Sequence, residues 1–418
     1  MNRSNDNRAL ISELFFADLC AQKRLRGFVF HSPKVTNDPK GEREAGDVVI
    51  WVRDLIIVFE IIWKNTEISD NTRRFVRRIG KKRDQLCGNY QTYANEQMEI
   101  SMTNQDGETI LFDHRYFNDM AFCGIVVIDS DLRLEKLHFE TIRKTIKADF
   151  SLAVMTTRDF LDVLVEVDTP SDLHYYLADR TRFLTQVFEG DAAMFLDLNR
   201  RTERELIGFY KLNNNSFPLD LWKRSADKRF WREYETNLAE QIAIRNEQND
   251  ESFIIDEIIE LVRKEHRPGL STLQHAWELA SLTRRARAGW VAGRVIRGFE
   301  QMVEGRRERH FAFHNKATEC WILFYFCYGS TSDEFRQQAV ELSRMKIRVE
   351  RVQSNFPHSV FCYAFRKSPI ETGNTFDECL LVVEDAQNHP NVSSEDYARA
   401  CKYFRGAGTP LPIQEFPA

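Results

Sequence analysis

Two acidic residues, Asp47 and Glu60, interrupt the apolar stretch GEREAGDVVIWVRDLIIVFEIIWKN at positions 41–65. Asp47 to Val52 and Leu55 to Trp63 read as two strands joined by a tight turn at Arg53 and Asp54, because both runs are apolar and rich in β-branched residues. If the turn is symmetric, Asp47 stands opposite Glu60, with Cβ atoms about 5 Å apart. A one-residue asymmetry would destroy that register, and Arg-Asp lacks the Gly or Asn favoured in the tightest hairpins. Two carboxylates this close repel, and one is driven to bind a proton unless a cation stands between them. Oxygen ligands suit Mg2+ or Mn2+. Such an ion polarises a phosphoryl oxygen and lowers the pKa of a bound water, which is the chemistry of phosphate-ester hydrolysis. Taken singly, Asp47 reads as a strand-edge aspartate and Glu60 as a glutamate paired with a nearby Arg or Lys. Their coincidence in cross-strand register is what favours a shared cation.

Cations follow the hairpin. Lys64 lies on the Glu60 face of its strand but two steps further along, about 13 Å of backbone away. The segment NTRRFVRRIGKKRDQLCGNYQTYANEQ reads as a long helix carrying Arg73, Arg74, Arg77, Arg78, Lys81, Lys82 and Arg83. At 3.6 residues per turn, positions 74, 77, 78 and 81 share one stripe, while Phe75, Ile79, Leu86, Tyr90 and Tyr93 supply packing. A charged stripe is ordinarily a solvated face; beside a metal site it also suits a phosphate backbone, where Lys and Arg displace counterions. A second basic zone, Arg284, Arg285, Arg287, Arg294, Arg297, Arg306, Arg307 and Arg309, is interleaved with Glu300, Glu304 and Glu308 and is equally well read as salt bridges. His310 and His314 could meet on a helix, but no third ligand lies nearby in sequence.

The elements that must position these groups fall into three regions. Residues 1–168 alternate helical and strand-like runs, which implies a mixed α/β sheet. Residues 169–309 are mostly helical, with TPSDL and DES as expected helix starts. Residues 310–418 return to strands in CWILFYFCYG, SVFCYAFRKS and DECLLVVED around the helix SDEFRQQAVELSRMK, an α+β pattern. A chain of 418 residues, 43% hydrophobic and 29% charged, is that of a multidomain globular protein. Its formal charge of −5 means that any contact with nucleic acid must come from local patches. The eight cysteines form no CxxC pair, which argues for reduced, buried thiols. No apolar run is long enough for a membrane span, and the cytoplasm is the expected location.

The order of these features resembles the PD-(D/E)XK nuclease superfamily, the restriction-endonuclease-like fold. The resemblance runs over roughly residues 10–130: a helix with Glu13, a strand, Gly46-Asp47, the hairpin, Glu60, and a basic helix with RRIGKKRDQL. It implies Asp47 and Glu60 as ligands of Mg2+ (or Mn2+), Glu13 as an auxiliary acid, and a catalytic lysine two residues after the Glu. That position holds Ile62. Lys64, or Lys81 or Lys82 from the helix, could substitute. The expected activity is metal-dependent phosphodiester hydrolysis of nucleic acid, DNA ahead of RNA, with Arg74, Arg77, Arg78, Lys81 and Lys82 on the backbone. By family analogy the setting is prokaryotic restriction or antiphage defence, as a homodimer or with a defence-complex partner. The alternative is a degenerate nuclease fold that binds nucleic acid or protein without cutting.

Overall fold

The computed structural model describes residues 13–20, 26–39, 41–62, 72–114, 121–129, 150–167, 169–189, 201–224, 229–265, 276–283, 286–287, 291–305, 308–315, 320–353, 359–369, 376–385, 395 and 398. Lys64 lies outside them, and Arg74 is described in its backbone only. The chain has mixed α and β content in two compact units, Met1–Arg245 with Pro268–Leu273, and Asn246–Arg267 with Gln274–Ala418. Residues 169–245 thus group with the first sheet and residues 274–309 with the second.

The first unit is built on an eight-stranded sheet. In chain order its elements are helix α1 (13–20), β1 (Val29–Val35), β2 (Arg43–Glu44), β3 (Val48–Val52), β4 (Leu55–Ile62), α2 (Thr72–Ala94), β5 (Ile100–Asn104), β6 (Thr109–Leu111), β7 (Ala121–Ile128) and β8 (Ser151–Thr156). The strand order is β6-β5-β1-β3-β4-β7-β8, with the short β2 on β1. The meander β1-β3-β4 is antiparallel, whereas β7 runs parallel to β4 and β8 parallel to β7. Helices α3 (Thr157–Glu166), α4 (Pro170–Glu189), α5 (Glu203–Leu212) and α6 (Leu219–Lys223) follow.

Strand alternation sorts the two faces of this sheet. Ile57, Phe59 and Ile61 of β4 share a core with Phe16, Ala17 and Cys20 of α1 and with Phe160, Leu173 and Tyr176 of α3 and α4. The intervening residues turn toward α2. Expected at the start of α4, the cap is present: Thr169 Oγ1 accepts from Asp172 N at 3.1 Å. Between α4 and α5, Arg180 grips Glu203 bidentately at 2.7 Å and Tyr176 donates to the same carboxylate at 2.5 Å, all of it buried.

Val48 pairs with Phe59 and Val52 with Leu55, leaving Arg53 and Asp54 as a two-residue turn. Arg53 adopts φ 52°, the conformation for which Gly or Asn is preferred, and its carbonyl accepts from Trp51 Nε1 at 2.9 Å. The symmetric register therefore forms without the favoured turn residues. At the other end of the hairpin, Gly46 has φ 131°, and a Cβ there would lie 2.7 Å from Val58 Cγ1. Only glycine lets the chain turn into β3 against that side chain.

Helix α7 (Phe230–Glu265) runs through the expected start at Asp250, Glu251 and Ser252, correcting that boundary. Residue types favoured at caps cost only a few tenths of a kcal/mol inside a helix, so their presence does not force a break. The second unit contains α8 (Ala292–Val303), β9 (Glu308–Asn315), β10 (Cys320–Tyr328), α9 (Ser332–Gln353), β11 (Ser359–Lys367) and β12 (Glu378–Asp385). Its sheet order is β12-β11-β10-β9, with β10 and β11 parallel across the α9 crossover. Helix α9 covers one face through Phe335, Ala339 and Leu342, while Phe299 of α8 meets Phe326 and Phe365 on the other. His310 and His314 belong to β9, paired with Tyr325 and Trp321. The helical meeting considered for them does not occur, because a strand sets residues four apart about 13 Å from each other.

Gly46→Ala tests the hairpin entry. The added methyl meets Val58 in a backbone region unfavourable for alanine, so we expect a loss of about 2–3 kcal/mol in urea unfolding. Stability within about 0.5 kcal/mol of wild type would contradict this geometry.

Candidate functional site

Asp47 sits one residue before β3 and continues its pairing. Its N–H donates to the Phe59 carbonyl at 3.0 Å, and its carbonyl accepts from Ser32 N at 3.0 Å. With the backbone held on both sides, the side chain falls on the α2 face beside Glu60. Both are buried, at 6% and 3% exposure. The cation that joins them is Lys82 of α2, whose Nζ lies 2.9 Å from Asp47 Oδ2 and 2.8 Å from Glu60 Oε2. Asp47 Oδ2 also accepts from Ile61 N at 2.5 Å, and Glu60 Oε1 from Asn89 Nδ2 at 2.7 Å. Lys82 and Asn89 are seven residues apart, two turns of helix, and so share one face. Leu86 and Tyr93, buried along the same helix, press that face on the sheet.

Burial is the first cause acting on every charge here. It raises the Asp47 carboxyl against the opposing pull of Lys82 and the Ile61 N–H. Burial and then the Asp47 charge push Glu60 up to about 7, opposed by Lys82 and Asn89. For Lys82 burial alone would lower the pKa, but Asp47 and Glu60 outweigh it and the net shift is upward. The ammonium therefore stays charged.

Around this centre lie three further groups. Glu13 of α1 approaches His31 of β1 at 3.6 Å. The Glu44 carboxyl is raised first by partial desolvation and then by the charges of Glu13 and Asp47. Glu13 thus reaches the rim of the site, not the carboxylate pair itself. Ile62, at the position where the resemblance implies a lysine, is apolar and buried at 6% exposure. Arg77, Arg78 and Lys81 are exposed on α2. Lys82, outside their stripe, points the other way into the carboxylates, and so does not join Arg77, Arg78 and Lys81 as the phosphate-backbone contact expected of it.

Sequence reasoning passed over Asn89, His31, Glu44 and the Ile61 amide. Asn89 carried a usable signal, a polar residue in line with Leu86 and Tyr93 on the packing side of α2. In the second basic zone, Arg287 is buried, bonded to Asp256 at 2.6 Å and to the carbonyls of Ala280 and Leu282. Arg309 bonds to Gln301. These two arginines are structural. Arg284, Arg285, Arg306 and Arg307 lie outside the described residues.

Among the described residues no group of three or more His, Cys, Asp or Glu side chains is placed to hold a metal ion. A pair of carboxylates converging on one cation is a different arrangement, and it suits an ion that retains several waters. No family model matches the chain, and neither curated proteins nor solved structures give a match.

The raised Glu60 has a pH signature. A carboxyl with a folded value near 7 keeps a proton that the unfolded chain releases at about 4.5, so stability is lost as pH rises through that window. Glu60→Gln removes this loss. In urea titrations with a chelator present, we expect the variant to gain on the order of 3 kcal/mol relative to wild type between about pH 5 and pH 8. A difference independent of pH would contradict a raised Glu60.

Proposed function

We propose that the first unit is a PD-(D/E)XK-like nuclease that hydrolyses phosphodiesters of nucleic acid with Mg2+ or Mn2+. The observation that carries this reading is the convergence of Asp47, Glu60 and Lys82 within 2.9 Å. It supplies the two acids and one lysine that the family motif requires, with the lysine moved from the strand to α2. The order of elements supports it as well: a helix, the antiparallel meander β1-β3-β4, helix α2, and β7 parallel to β4.

The residues present fit the metal. Mg2+ is commonly held by one or two carboxylates together with water and substrate phosphate, and Asp47 Oδ2 and Glu60 Oε2 already share a cation. When bound, the ion supplies Lewis acidity toward a phosphoryl oxygen and an acidified water. Asn89 fixes one oxygen of Glu60, which leaves the other facing Asp47. The Ile61 amide holds Asp47 through Oδ2, the same oxygen that Lys82 contacts. Lys82, kept protonated, acts as a donor that orients a water or a phosphate oxygen, not as a proton acceptor. Along the same helix, exposed Arg77, Arg78 and Lys81 suit the backbone on either side of the scissile phosphate.

DNA is the substrate expected ahead of RNA. A cytoplasmic role in restriction or antiphage defence, as a homodimer or within a defence complex, extends the same reading by analogy. No described helix is long and apolar enough to cross a membrane. One observation favours a second reading, a degenerate nuclease fold that binds without cutting: Ile62 puts a buried apolar chain where the family has its lysine.

Purified protein with linear, plasmid and single-stranded DNA and with RNA, in Mg2+ and Mn2+, separates the two. We expect cleavage that falls by roughly 100-fold or more in Glu60→Ala and in Asp47→Ala. Retained binding without cleavage of any substrate would leave the second reading standing. Replacing Arg77, Arg78 and Lys81 together by Gln should weaken binding and reduce the slope of log affinity on log salt by about 2–3.

A further inference from the structure

We propose that Lys82 is an internal counterion that competes with the metal, so that metal and phosphodiester enter the site together. The inference rests on the nuclease reading and concerns the regulation of that site.

Glu60 Oε1 is taken by Asn89, whereas Asp47 Oδ2 accepts from Ile61 N and from Lys82 together. The oxygens that face a common point are Asp47 Oδ2 and Glu60 Oε2. Lys82 Nζ already occupies that point, at 2.9 and 2.8 Å. An ion bonded to the same two oxygens at about 2.1 Å would lie in the same notch. Two cations cannot share it, so a metal must displace the ammonium.

Displacement is sterically open but electrostatically unfavourable by itself. Lys82 has a flexible four-carbon stem, its side chain is 21% exposed, and it leaves the same helix that presents Arg77, Arg78 and Lys81 to solvent. Charge decides when it moves. With both carboxylates ionised, the resting trio carries one net negative charge. A divalent ion added while the lysine is retained nearby reverses this to one net positive charge. A single phosphodiester, with its one negative charge, brings the assembly to neutrality and gives the displaced ammonium a new partner. Glu13 already faces His31 at 3.6 Å, and Glu44 already feels the Lys82 charge in the resting site, so neither is a new partner for the displaced ammonium. The expected consequence is weak metal binding alone and mutual tightening of metal and nucleic acid, a reciprocal coupling.

The test counts bound Mn2+ from the spin-resonance signal of the free ion, so that it does not depend on activity. Wild type, Lys82→Met, Lys82→Gln and Asp47→Asn are compared with and without a short phosphorothioate DNA duplex. Without DNA, we expect both Lys82 variants to bind Mn2+ about tenfold more tightly than wild type. The duplex should tighten Mn2+ binding by wild type by a similar factor and leave the Lys82 variants nearly unchanged. Unchanged or weaker Mn2+ binding in both variants overturns the competition, as does a duplex without effect on wild type. The wild-type comparison stands alone if the variants do not fold. Mn2+ binding that persists in Asp47→Asn, or that is absent throughout, overturns the metal-site reading itself and this inference with it.

Discussion

Two carboxylates buried side by side on a sheet face constitute the central constraint of the first unit. Desolvation disfavours each charge and proximity disfavours the pair, so the arrangement survives only because α2 delivers an ammonium to both. Most of the local structure can be read as the means of holding that contact. Gly46 turns the chain so that Asp47 enters β3 on the α2 face. The Arg53-Asp54 turn fixes which residue of β4 it meets. Leu86 and Tyr93 seat the helix at a depth where Lys82 and Asn89 reach the two acids. Loss of any one of these leaves a buried charge with too few partners, which is far more costly than loss of an exposed ion pair.

Much of this was legible from the sequence, for a definite reason. Strand pairing has a period of two and a hairpin has one axis, so two acids equidistant from a turn come into register provided that the turn is symmetric, as it is here. The departure at Ile62 was equally plain, and it left Lys64 of the strand, or Lys81 or Lys82 of the following helix, as the source of the lysine. Residue type alone did not settle which of these lysines meets the acids. A rotation of about 100° distinguishes neighbours on a helix, and only the seating of Leu86 and Tyr93 shows which of the two turns inward. Asn89 was legible by the same spacing, in line with Leu86 and Tyr93, but its polar side chain in a charged helix reads first as solvated.

Elsewhere the reasons differ. Strands β5, β6 and β9 are short or polar in alternation and carry little apolar signal. DES inside α7 shows that residues which can begin a helix need not do so. The second basic zone held both readings open until the partners of Arg287 appeared: its guanidinium is consumed by Asp256 and two carbonyls within the second unit. In that unit the parallel pairing of β10 with β11 depends on the α9 crossover, a long-range relation that no local pattern encodes.

Asp47 is clamped through its own amide and carbonyl, and Glu60 is fixed by the ladders on both sides of β4. The lysine is different: its charge sits at the end of a long stem and must only arrive at a point. The acids and the lysine therefore differ in how freely they can be relocated. An acid moved by one residue points to the opposite face of the sheet and is lost, whereas an ammonium can be supplied from any backbone within reach of the same spot. Here the ammonium comes from Lys82 of α2, while Ile62, two residues beyond Glu60 on β4, is apolar and buried. Spacing along the chain therefore fixes the two acids but not their counterion, which is found only at the point where the charges converge.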